Sequence, residues 1–85
     1  MKTFEYVVKD ELGIHARPAG LLVKVTKPFA SKIVLQKSEK EADAKRLMAV
    51  MALGVKKDDR VLVTLEGEDE EEAYTAIKLF FEANL

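Results

Sequence analysis

The apolar pattern of this 85-residue chain switches repeatedly between a period of two and a helical period, and each run is short. Phe4, Tyr6 and Val8 alternate with Thr3, Glu5 and Val7. Ile33 and Leu35 alternate with Lys32, Val34 and Gln36, and Val61, Val63 and Leu65 repeat the pattern in RVLVTLEG. A strand with one apolar face buries that face and leaves the other wet, which is the habit of antiparallel sheets. These strands therefore predict an antiparallel sheet covered by helices on one side.

The intervening runs have helical spacing. Ala19, Leu22, Val23 and Thr26 recur as a stripe after Ala16, with Pro18 in the first turn, where a missing N–H costs nothing. Pro28 is expected to end this helix by pushing Lys27 out of the α region. RLMAVMALG predicts a brief second helix closed by Gly54 in a left-handed cap. Asp69 is expected to cap a third helix, with Glu72 completing a capping box and Ala73, Ala76, Ile77 and Phe80 forming its buried stripe. The acidic run EGEDEEE is then helix-start chemistry rather than a cation site. Gly13 supplies a positive φ after KDEL, and EADA is read as a return strand after the SEK turn. The order is β-α-β-β-α-β-α, an α+β fold in one domain spanning residues 1–85.

Composition narrows the function. The net charge is −1 with acids and bases interspersed, and the strands lack paired exposed aromatics, so no nucleic-acid partner is expected. There are no cysteines and only one histidine, too few ligands for a metal site. No apolar run approaches the ~20 residues needed to span a bilayer. The N-terminus lacks a signal-peptide pattern, so a cytoplasmic address without membrane insertion is expected.

The one histidine, His15, lies in LGIHARPAG, immediately before the first predicted helix. Most lone histidines are surface or structural residues, and this context sets it apart. The first N–H groups of a helix have no internal partner and favour anions. The positive end of the dipole also favours a neutral, nucleophilic imidazole over a cationic one. A phosphoryl group on the ring has amides to bond at Ala16 and Arg17, though not at Pro18. The Arg17 guanidinium adds a donor fork suited to phosphate oxygens. A nucleophile, oriented amides and a guanidinium are the parts needed to accept and release a phosphoryl group.

GIHARPAG resembles the active-site signature of the HPr family, the histidine-containing phosphocarriers of the bacterial phosphoenolpyruvate–sugar phosphotransferase system. The resemblance covers the whole chain, including KRLMAVMALG and EGEDE. It implies an open-faced sandwich: a four-stranded sheet in the order 1-4-2-3 with three helices on one side. It further implies phosphorylation of His15 at Nδ1, with Arg17 stabilising and transferring the group. Ala16 and Arg17 would contact phosphate, and Pro18 would shape the helix start. The implied donor is enzyme I and the implied acceptors are the IIA domains of sugar permeases. No cofactor is implied beyond a transient phosphohistidine, and a monomer is expected. The chain would be a relay rather than an enzyme. A regulatory module that docks partners without carrying phosphate is the alternative.

The second helix bears on docking. Leu47, Val50 and Met51 are placed toward the sheet by spacing, which leaves Met48 and one side of Met51 with little to pack on. Methionines of a small chain commonly fill core gaps. The resemblance instead implies a partner-docking face for Leu47 and Met48, and Met51 is placed with them; Lys24, Lys27 and Lys45 are then expected to ring that patch with positive charge. Gly20 costs about 1 kcal/mol against alanine in a helix and leaves the surface beside His15 open. One departure stands out. Arg46 occupies the helix-start position where many family members carry a serine phosphorylated in Gram-positive relatives. Arginine forms no phosphoryl ester, so control through that position is expected to be lost.

Overall fold

A computed structural model describes all 85 residues. The elements are β1 (Lys2–Val7), α1 (Ala16–Thr26), β2 (Lys32–Lys37), β3 (Lys40–Asp43), α2 (Leu47–Ala52), β4 (Arg60–Glu66) and α3 (Glu70–Asn84). All strand pairs are antiparallel, in the order β1-β4-β2-β3. Phe4 sits opposite Val63, and Val63 opposite Leu35, so the predicted apolar faces line up in one row. Phe4, Ile33, Leu35, Val61, Val63 and Leu65 are all buried beneath the helices. EADA pairs with β2 as β3 despite its poor propensity, because Ala42 falls opposite Leu35 and is buried there.

Three local expectations are corrected. The Asp69 side chain makes no cap bond to its own helix. Its carboxylate instead accepts from the Ala30 and Ser31 amides and the Ser31 hydroxyl, across the fold. No Glu72 capping box forms either, and Glu70 takes the reciprocal part by accepting from the Gly67 N–H at 3.1 Å. Pro28 does not push Lys27 out of the α region, since Lys27 keeps helical angles (φ −56, ψ −40). The helix ends because Pro28 has no N–H to donate, and the Phe29 N–H bonds to the Thr26 carbonyl at 3.1 Å. In α2 only Val50 is buried, so Leu47 and Met51 do not face the sheet.

The buried stripe of α3 also runs further than expected. Phe81 is fully buried, with its ring edge-on to Phe4 at 5.7 Å and to Tyr6 at 5.5 Å, whereas Ala76 is only half-buried. This packing holds the end of α3 against β1. The Leu85 carbonyl oxygen then accepts from the Asp10 N–H at 2.8 Å, which ties the end of α3 to the loop that leads to His15.

Candidate functional site

His15 is positioned by the backbone before it. The Ile14 N–H donates to the Val55 carbonyl at 3.0 Å, joining the loop to the segment after α2. That approach requires a glycine at position 13, where φ is +67 and an added Cβ would lie 2.2 Å from the Val55 oxygen. The Val55 segment is held in turn by Lys37, whose ammonium donates to the Gly54 carbonyl and pairs with Asp59, each at 2.9 Å. The Lys37 hydrogen bond, aided by the Lys56 amide, keeps the Asp59 carboxyl below its ordinary range. Gly54 adopts the expected left-handed cap at φ +65.

His15 is the N-cap residue of α1, with extended angles (φ −91, ψ −172) and no side-chain cap bond. Its carbonyl accepts the first helical bond, from the Ala19 N–H at 3.0 Å, while the amides of Ala16 and Arg17 have no partner in the chain. Pro18 is buried and offers no N–H, so only two oriented donors face outward here. Arg17 is exposed and takes part in no ion pair or side-chain hydrogen bond. The half-buried imidazole, Arg17 and Pro18 line a small concavity of about 120 Å³ with Asp10, Leu21 and Asn84. A solvent-open cleft with free donors, an unpaired guanidinium and an imidazole has room and chemistry for a tetrahedral anion.

Sequence reasoning missed three of those six residues. Leu21 was within reach, since it lies one turn beyond Arg17 on the same helix face. Asp10 and Asn84 were not, because the closure of α3 onto the β1–α1 loop brings them there.

The candidate docking residues lie on or beside two helices held against each other. The Thr26 hydroxyl donates to the Ala44 carbonyl at 2.9 Å, which sets the start of α2 against the last turn of α1. Val55, beyond the other end of α2, meets the loop before α1, so the two helices run in opposite directions. Leu47, Met48 and Met51 are 40 %, 76 % and 39 % exposed, which removes the core-filling reading of Met48. Gly20 shares a helix face with Lys24 and Lys27 by spacing and has open space above its Cα, and Lys24, Lys27 and Arg46 are exposed without acidic partners. Lys45 differs, because its half-buried ammonium donates to the Phe29 carbonyl. It belongs to the scaffold more than to the rim. No cluster of three or more potential ligands is present to hold a metal ion, and no helix is long and apolar enough to cross a membrane.

Comparison with known proteins shows the family to which the chain is similar. Residues 2–83 match the family described as the PTS HPr component phosphorylation site. Phosphocarrier protein HPr of Lysinibacillus sphaericus is 46 % identical over 77 residues, covering 91 % of this chain and 88 % of that protein. The HPr of Mycoplasma genitalium is 41 % identical over 85 residues, covering 99 % and 97 %. A crystal structure of HPr from Thermoanaerobacter tengcongensis superposes with a TM-score of 0.92 at 40 % identity, over 98 % of this chain and 93 % of that one. The chain belongs to the HPr family of phosphotransferase-system phosphocarriers.

Proposed function

We propose that this chain carries a phosphoryl group on His15, accepting it from enzyme I and passing it to the IIA domains of sugar permeases. The observation that carries the reading is the placement of the imidazole: an N-cap side chain with no cap bond, beside two unpartnered amides and an unpaired Arg17. In the forward step Nδ1 attacks phosphorus, the bond from phosphorus to the enzyme I nitrogen breaks, and the Ala16 and Arg17 donors take up the oxygens' charge. Pro18 holds the first turn in its helical shape. Release reverses the step, with Arg17 following the group toward the acceptor. The phosphohistidine is transient, and no cofactor is needed.

Docking is assigned to Leu47, Met48 and Met51 as an apolar centre, with Lys24, Lys27 and Arg46 as a basic rim and Gly20 leaving room beside His15. Such a rim suits acidic partners in the cytoplasm, met by a monomer. Arg46 stands where the family resemblance implies a regulatory serine, so control by a phosphoester at that position is absent.

The test is incubation with phosphoenolpyruvate, Mg²⁺ and enzyme I, followed by intact-mass measurement. Wild type should gain one acid-labile phosphoryl group, pass it to a IIA domain, and lose this ability on His15→Ala substitution. A protein that bound enzyme I and stayed unlabelled would instead be a docking module.

A further inference from the structure

The concavity that holds His15 and Arg17 also contains an acid. Asp10 is fixed there by three hydrogen bonds. Its N–H donates to the Leu85 carbonyl at 2.8 Å, its carbonyl accepts from the Gly13 N–H at 2.9 Å, and its Oδ1 accepts from the Leu12 N–H at 2.9 Å. Oδ2 has no donor, and Asp10 enters none of the chain's ion pairs. An acid in a loop usually serves a turn or an ion pair. The turn needs only a side-chain oxygen, which asparagine supplies as well. No ion pair is made. The negative charge is therefore unexplained by the loop, and the residue that carries it lines the same concavity as His15 and Arg17.

We propose that Asp10 raises the transfer potential of the phosphorylated site, an inference that rests on the phosphoryl-carrier reading. A phosphoryl group on the ring shares a concavity of about 120 Å³ with this fixed carboxylate. The two repel, and the repulsion exists only while the group is bound. It is relieved when the nitrogen–phosphorus bond breaks, its electron pair returns to the ring nitrogen, and the phosphoryl group moves to an acceptor nitrogen or to water. Two amides and a guanidinium alone would make a deep well for the group. A relay must also let go, and a like charge held by the loop makes the well shallower. Arg17 has no acid partner in the free protein, so it remains available to the group on arrival.

The experiment loads wild type, Asp10→Asn and Glu68→Gln from phosphoenolpyruvate with Mg²⁺ and enzyme I, removes the enzyme, and follows the loss of label by intact mass. Asparagine keeps the turn oxygen, so the melting temperature should not change. Glu68 is exposed at the other end of α3 and controls for net charge. The Asp10→Asn phosphoprotein should live roughly threefold longer or more at low ionic strength, with the gap closing at high salt. Its equilibrium with phosphoenolpyruvate and pyruvate should lie further toward the phosphorylated chain, and Glu68→Gln should behave as wild type. Equal lifetimes, a shorter life for Asp10→Asn, or a gap indifferent to salt each overturn the proposal. Absence of label on every protein marks the failure of the carrier reading itself, and the proposal falls with it.

Discussion

The Asp69 carboxylate accepts from both the N–H and the hydroxyl of Ser31, so the first residue before α3 is bonded to the loop between α1 and β2. Ser31 is fully buried, and a Cβ on Gly67 would lie 2.7 Å from its Cα, so the three segments meet without slack. The Ser31 hydroxyl, followed by the Ala30 amide, keeps the Asp69 carboxyl below its ordinary value of 3.8. A lowered folded value means that the contribution is fully present above the unfolded value and is lost as pH falls through the folded one. Asp69→Ala should therefore melt below wild type at neutral pH. The gap between the two should narrow as pH drops below about 4, measured by thermal unfolding across a pH series. A gap that stayed constant into strong acid would contradict this account.

The two glycines flanking His15 should respond in opposite ways to alanine. At Gly13 a methyl group collides with the Val55 carbonyl at 2.2 Å and must accept a φ of +67, so Gly13→Ala should cost at least about 2 kcal/mol. At Gly20 the added Cβ meets nothing within 4 Å, and helix propensity should stabilise Gly20→Ala by up to about 1 kcal/mol. Urea denaturation of both variants measures the contrast.

Arg46 begins α2 with extended angles (φ −118, ψ 112) and contributes no side-chain cap. Its own N–H is bonded to the Asp43 carbonyl at 3.0 Å, so the backbone is already shaped for a capping residue. Arg46→Ser should raise stability by about 1 kcal/mol by giving the first turn of α2 an acceptor. For a domain of this size that is a rise of roughly 4–8 °C in melting temperature. A melting temperature at or below wild type would show that the arginine stem packs in a way that offsets its missing cap.

Met48 is 76 % exposed, so its replacement should leave the fold intact while disturbing docking. Met48→Asp should keep stability within about 0.5 kcal/mol of wild type. It should slow phosphorylation by enzyme I roughly tenfold at limiting concentration of the chain, through loss of an apolar anchor in a basic rim. Initial labelling rates at several concentrations separate weaker docking from a slower chemical step.

Much of this protein is determined by sequence alone. Period-two runs with one apolar side are enough for an antiparallel sheet covered on one face, because a strand so patterned loses its core on any one-residue slip. The helix start at Ala16, the positive φ at Gly13 and the cap at Gly54 follow from local chemistry that involves only near neighbours. For the same reason the two unpartnered amides of Ala16 and Arg17 beside His15 were legible, since the N-terminus of a helix orients its own donors. Tertiary structure decided the rest. Asp69 looked like a local cap, yet it bonds to Ser31 because the fold offers three donors that its own helix does not exceed. Leu47 and Met51 had the spacing of core residues, but a helix of six residues buries only a narrow stripe, here Val50. Asp10 and Asn84 share the histidine's concavity because the end of α3 packs on β1 and bonds to the loop that carries Asp10. Local hydrogen-bonding preferences are written in neighbouring residues, whereas the contest for buried surface and for distant donors is settled only when all the elements pack together.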